Sequence, residues 1–277
     1  MTDLTDSAES APRDQYIHGH HESVLRSHTW RTVANSAAYL IPELTAGVRL
    51  LDVGCGPGTI TVDLARRVTP GQVVGLDASS EIVGHAAGLA VDEGVHNASF
   101  QVGDVYALDF ADASFDIVHA HQVMQHLARP VVAMAEIRRV LRPGGVFAAR
   151  DVDYGGVMIA PVIDGLTEWM RVYREVHYWN GGEPDAGRSL KAWARAAGFA
   201  SVASSASVWC FASDAEREWW GESWAVRVTE SAFAAHAIEA GVADLADLKR
   251  MAAAWRQWVH DPNGWFGMPH GEILARA

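Results

Sequence analysis

Between Val48 and Val152 the chain alternates short apolar runs with amphipathic stretches. Five runs have the length and content of buried strands: Val48 to Val53, Val73 to Leu76, Ser99 to Val102, Phe115 to Ala120 and Val146 to Arg150. From Thr59 onward, Ile60, Leu64 and Val68 recur at helical spacing. Glu81 to Glu93 and Val131 to Leu141 also read as helices, the second closed by Arg142-Pro143-Gly144-Gly145. This alternation requires an α/β fold: a parallel sheet with right-handed crossovers, in which ligands sit outside the carboxyl ends of the strands.

The flanks read differently. Residues 1–14 are polar and acidic and are expected to be a disordered tail. A helix is expected over Glu22 to Leu40, stopped before Pro42. Beyond Val152 the chain turns aromatic, with ten of its eleven tryptophans at or after Trp169. Helices are expected over Val162 to Trp179, Leu190 to Ala197, Glu216 to Ala240 and Leu245 to Val259. Val202 to Phe211 reads as an edge strand and Glu272 to Ala277 as a closing strand, so the helices between these two strands form a cap. With no repeat or linker in sight, residues 15–277 read as one domain, with a core at 48–153 and a substrate or cap region at 154–277.

Composition narrows the partners. Twenty-two Lys plus Arg against 34 Asp plus Glu give a net charge of −12, which does not favour nucleic acid or an anionic membrane. The two cysteines, Cys55 and Cys210, lack metal-site spacing, and the amino terminus has no apolar core of a signal peptide, so the expected location is cytoplasmic. His18, His20 and His21 lack a matching acidic or thiol ligand, and Asp151 and Asp153 alternate to opposite faces of a strand. No metal is therefore expected.

The chemistry centres on Leu50-Leu51-Asp52-Val53-Gly54-Cys55-Gly56-Pro57-Gly58-Thr59, a strand running into three glycines and then a helix. Glycine tolerates positive φ and lets a ligand come close to the backbone. A dinucleotide fingerprint needs its third glycine one residue later than Gly58, and the P-loop lysine is missing. Asp77, at the tip of the second strand and nineteen residues past Gly58, is placed to accept ribose hydroxyls. Together these features describe a nucleoside ligand without phosphates.

LDVGCGPGTITVDLA, GLDAS, GDVYALDFADASFDIVHAHQVMQHL and RRVLRPGGVF, in this order and spacing, resemble the class I S-adenosylmethionine (SAM)-dependent methyltransferases, and most closely the small-molecule enzymes of quinone biosynthesis. The resemblance spans Val48 to about Asp153. It implies a Rossmann-like sheet with helices on both faces, an N-terminal helix and a C-terminal helical cap. Within it, Gly54, Gly56 and Gly58 would approach the methionine part of SAM, Asp77 followed by Ala78 would hold the ribose, and Asp104 and the Val105 amide would meet the adenine. His121 would contact the methionine portion. Because the N-terminal segment of such enzymes folds over the cofactor, Tyr16, His21 and Arg31 are candidate cofactor or substrate contacts, with plain packing as the alternative.

In-line methyl transfer from a sulfonium needs alignment and no covalent nucleophile on the enzyme. His126 is the candidate base, with His121 behind it, since imidazole titrates near neutrality. A lone histidine is more often structural, and both residues carry that reading as the alternative. Asp151, Tyr154 and Trp179 are candidate acceptor contacts. The many tryptophans fit helix packing, or a lining for a flat, apolar acceptor. The expected activity is methylation of a small hydrophobic molecule, at oxygen in preference to nitrogen or carbon. A SAM-binding sensor or scaffold, or a non-methylating enzyme on the same fold, is the rival. Nucleic-acid methylation ranks lower, since the Asn/Asp-Pro-Pro-aromatic motif is absent after the fourth strand.

Overall fold

The structure, a computed structural model, describes residues Trp30–Ala277. The expected tail over 1–14, and Tyr16, His18, His20 and His21, lie outside the described residues. Strands β1 (Leu50–Val53), β2 (Val73–Asp77), β3 (Ala98–Val102), β4 (Phe115–His121) and β5 (Leu141–Val152) run parallel in the order β3-β2-β1-β4-β5. Helices α2 (Thr59–Val68), α3 (Ser80–Asp92) and α4 (Pro130–Val140) supply the crossovers. β8 (Trp265–Arg276) then pairs antiparallel with β5, and β7 (Ser201–Phe211) lies antiparallel along its other side. This Rossmann-like sheet matches the expected fold.

The departures have local causes. Before β1, the described part of the expected first helix is a four-residue turn, α1 (Val33–Ser36), held by a Thr32–Asn35 capping box. A 3-10 helix, Ala38–Glu43, follows and contains Pro42, where the helix was expected to have stopped. Proline sets a φ that a short tight helix accepts, so only one hydrogen bond is lost. The closing strand begins seven residues before Glu272. Gly267, Pro269 and Gly271 hide its alternation in the sequence, but β7 pairs with it from Phe266 to Arg276. A short strand β6 (Met158–Ala160), unforeseen, pairs with the start of β8.

The second half supplies α5 (Asp164–Trp179), α6 (Ala186–Ala196), α7 (Asp214–Glu230), α8 (Ala232–Glu239) and α9 (Leu245–His260). The expected helix over Glu216 to Ala240 is two helices. Ser231 closes α7 by donating its hydroxyl to the Arg227 carbonyl at 2.8 Å, and caps α8 by accepting from the Phe233 N–H at 3.3 Å. Trp169, Trp224, Trp255 and Trp258 are fully buried where α5, α7 and α9 meet. Trp169 stands edge-on to Trp224 at 4.7 Å and to Trp255 at 4.8 Å, a geometry that aromatic rings favour.

The first turn of α6 lies directly on β8, where Gly187 meets Gly271 backbone to backbone; a Cβ on Gly271 would overlap the Gly187 carbonyl. Gly271→Ala should therefore destabilise the fold by about 2 kcal/mol or more, because neither backbone can yield. Gly84→Ala, on exposed helix surface with nothing near its Cβ, should stabilise it by about 0.5–1 kcal/mol. Urea unfolding of both variants checks this contrast, and equal midpoints would show the approach of α6 to β8 to be loose.

Candidate active site

At the carboxyl end of β1 the chain turns through Gly54, Gly56 and Gly58 with φ of +65°, +54° and +88°. The three glycines have different reasons. A Cβ on Gly54 would overlap Val123 Cγ2, and one on Gly58 would come within 2.8 Å of Ala86 Cβ on α3. Around Gly56 there is open space, and this residue faces a cavity of about 830 Å³. That volume lies within the range of about 300–1,000 Å³ usual for small-molecule sites.

Acidic groups surround the loop. Asp77 Oδ2 accepts from the Gly56 N–H at 3.1 Å and Oδ1 from the Ser79 N–H at 3.1 Å, so the carboxylate is fixed beside the turn. Asp104 Oδ1 accepts from the Tyr106 N–H at 2.8 Å; it is a turn residue and also lines the cavity. Asp52 is buried. Its Oδ1 meets His119 Nδ1 at 2.7 Å and its Oδ2 accepts from the Thr61 hydroxyl at 2.5 Å.

The opposite wall comes from the cap and from the end of β4. Tyr154, Trp209, Trp220, Trp224, Arg227 and Met268 line it, each under a tenth exposed. β7 and β8 contribute Trp209 and Met268, and β8 stands three strands from β1, about 14 Å across the sheet. The cavity thus joins an acidic, glycine-lined half to an aromatic one. Between them, Gln122 adopts φ +55°, rare for a residue with a side chain. Its amide oxygen accepts from Arg31 Nη2 at 2.8 Å and its nitrogen lies 2.9 Å from the His270 ring.

Of the residues singled out in the sequence, Gly54, Gly56, Asp77, Ala78, Asp104, Val105, His121, His126, Tyr154 and Arg31 meet on this cavity. Three do not. Gly58 serves the contact of the loop with α3. Asp151 is wholly buried beneath the floor, where Oδ1 accepts from the Gln125 N–H at 3.1 Å. Trp179 is 44% exposed and lies against His236 at the far end of α5. Asp52, Gln125, Arg227 and Met268 were not foreseen. Arg227 had a usable signal, since it shares by helical spacing the face of Trp220 and Trp224, as Arg217 also does.

Both candidate bases are neutral in this setting. Burial, with help from Arg31, pushes His126 down to about 3; its ring stacks on His177 at 5.1 Å. His121 is held well below the ordinary range by burial and then by Arg31 and Arg150. Among the described residues, no three His, Cys, Asp or Glu side chains gather as a metal site, and no helix is long and apolar enough to cross a membrane.

Comparison with known proteins agrees with this geometry, since residues 44–207 match the family described as a methyltransferase domain. The chain belongs to that family. It is 35% identical to the uncharacterized methyltransferase C1B3.06c of Schizosaccharomyces pombe, over 96% of this chain and 99% of that protein. The ubiquinone/menaquinone biosynthesis C-methyltransferase UbiE of Bdellovibrio bacteriovorus is 34% identical over 44% of this chain and half of its own length. Among solved structures, YcgJ of Bacillus subtilis superposes with a TM-score of 0.57 at 20% identity, covering 88% of this chain and 98% of that one. The [4+2]-cyclase SpnF gives 0.54 at 26% identity, over 87% and 80%. The protein is a SAM-dependent methyltransferase of class I.

The buried histidines make the fold sensitive to acid. His121, His126, His177 and His270 all have lowered folded pKa values, mainly through burial, so below about 6.5 the unfolded chain takes up protons that the folded chain refuses. Stability is then lost as pH falls from about 6.5 toward 5, by about 1.4 kcal/mol per pH unit for each ring. Asp151, raised to about 7 by burial, works the other way: its folded form keeps a proton that the unfolded chain releases above about 4. Urea unfolding at pH 7, 6 and 5 should show a steep fall, steeper still in Asp151→Asn. A flat profile would contradict neutral buried rings.

Proposed function

We propose that this methyltransferase transfers the methyl group to oxygen on a small, flat, apolar acceptor that enters with that oxygen already deprotonated, so that the enzyme supplies alignment and no proton abstraction. The observation that carries this reading is the single cavity with an acidic glycine-lined half and an aromatic half. The first half suits SAM. Open space at Gly56 admits the ligand to the backbone, and the acidic groups suit a cationic sulfonium and amine better than phosphates. In this reading Gly54 and Gly56 take the methionine part, with Arg31 near its carboxylate. Asp77 and Ala78 take the ribose, and Asp104 and Val105 the adenine. When bound, SAM supplies an electrophilic methyl group on a positively charged sulfur.

The remaining work falls to the chain. Trp209, Trp220, Trp224 and Tyr154 exclude water and fix the plane of the acceptor, which aligns its nucleophile with the methyl carbon. A histidine with a pKa of about 3 is a poor base at neutral pH, so His126 contributes shape and a hydrogen bond. Asp151 acts from beneath, holding the backbone of Gln125.

The likeness to SpnF supports a second reading, a non-methylating reaction such as cyclisation on the same fold. Titration calorimetry and a labelled-methyl assay separate the two. SAM and S-adenosylhomocysteine should bind the full chain, and Asp77→Ala should weaken both by about 10- to 100-fold through lost charged hydrogen bonds. Labelled methyl from SAM should appear in an apolar metabolite pool, and His126→Ala should keep activity within about tenfold of the wild type. Tight binding with no labelled product from broad pools would favour the cyclase-like reading. Unchanged binding in Asp77→Ala would sink the assignment of the cofactor half.

A further inference from the structure

Just past β4, a 3-10 turn over Met124–His126 sets Gln125 and His126 side by side on the cavity wall. Gln125 is buried, and each of its polar groups is engaged. Its backbone N–H donates to Asp151 Oδ1 at 3.1 Å, and its carbonyl accepts from the Glu183 N–H at 2.8 Å. In the side chain, Oε1 accepts from the Val152 N–H at 3.4 Å, and Nε2 lies 3.0 Å from His126 Nε2. A residue gripped at both ends in this way has little freedom to turn its amide.

Which end of the amide faces the imidazole follows from the donors around it. A backbone N–H can only donate, so the amide oxygen faces Val152 and the NH2 group faces His126. The reverse would set that NH2 group against the Val152 N–H, donor against donor. An amide NH2 group donates and does not accept, so His126 Nε2 must be the accepting nitrogen. A neutral imidazole carries a single proton, and here it is left to Nδ1. The surroundings favour the neutral ring: it stacks on the His177 ring at 5.1 Å with 15° between the planes, and burial, with help from Arg31, holds its pKa at about 3.

From this geometry we propose that Gln125 is a positioning residue that fixes His126 as the Nδ1–H tautomer and so withdraws both ring nitrogens from proton abstraction. Nε2 already accepts from the amide, and Nδ1 already carries its proton. Whatever meets Nδ1 must accept a hydrogen bond. The proposal deepens the reading of transfer to a deprotonated oxygen and rests on it, because a histidine held in this form serves that reaction by orienting and not by taking a proton.

The test is nitrogen NMR on the full chain with nitrogen-15 in its histidine rings, from pH 8 to pH 6, with and without saturating S-adenosylhomocysteine. Long-range proton–nitrogen spectra tell a protonated ring nitrogen from a bare one, and the signals lost in His126→Phe identify the residue. Wild-type His126 should show Nδ1–H and a bare Nε2 throughout. Gln125→Leu keeps the bulk and removes the amide. It should shift the tautomer ratio of His126 about tenfold toward Nε2–H, the effect of losing one ordinary hydrogen bond, while the signals of the other buried histidines stay in place. A wild-type His126 seen as Nε2–H or as the imidazolium overturns the proposal. So does an unchanged tautomer ratio in Gln125→Leu. Should Gln125→Leu not fold, the wild-type tautomer decides. Failure of the wild type to bind S-adenosylhomocysteine is a separate result, and it strikes the methyltransferase reading while the tautomer stays readable.

Discussion

A carboxylate at the buried end of a strand must be paired, and Asp52 is paired twice. His119 on β4 meets one oxygen and Thr61 on α2 donates to the other, so one side chain joins the strand before the glycine turn, the helix after it and the neighbouring strand. Each partner is buried, and such hydrogen bonds to a charge are worth about 1.5–3 kcal/mol. The consequence is geometric. Gly54 to Gly58 cannot drift, because both ends of the turn are tied to the same carboxylate, and Gly56 N–H and Asp77 inherit that fixed frame.

A second set of contacts closes the cavity from the side. Gln122 holds a left-handed backbone, a strain of about 1 kcal/mol or more, and in return its N–H reaches the Arg150 carbonyl at 2.7 Å while its side chain ties Arg31 to His270. Trp209 does the same work one strand further out. Its indole N–H donates to the Asn35 carbonyl at 2.7 Å, its ring lies 4.6 Å from the Arg150 guanidinium, and Trp30 stands edge-on at 5.1 Å. The segment from Trp30 to Asn35 is thereby sewn to β7 and β8 across the carboxyl ends of the strands. A wall made this way ties the segment before β1 to the aromatic half of the cavity.

The parallel half of the fold was legible because its signals are local. Strand–glycine–helix order, an acid at a strand tip and apolar periodicity each depend on neighbours in sequence, and the glycine turn and Asp77 beside it follow from them, whereas Asp104 came from the family resemblance. The antiparallel half hid itself. β8 carries Gly267, Pro269 and Gly271, which read as breakers, and it is a strand because β5, β6 and β7 pair with it. Asp151 was chosen by its position at a strand end and Trp179 as one of the cap tryptophans, yet burial sends one beneath the floor and exposure leaves the other outside the cavity. Sequence order cannot distinguish a strand end that faces a ligand from one that faces the next backbone.

The aromatic half also shows why charge inside the cavity matters more than charge on the whole chain. With a net charge of −12, the long-range field does not draw in an acid. That field is screened beyond about 8–10 Å at ordinary ionic strength, whereas a guanidinium among tryptophans acts at contact and in a low dielectric, where each charged hydrogen bond counts for more. In the proposed reaction the neutral histidines follow the same logic, since a protonated His121 or His126 would bring a second cation into the cavity beside the sulfonium. In that reaction, burial that keeps those rings neutral leaves the donor's own charge as the one cation at the reacting atoms that a change of pH cannot add to.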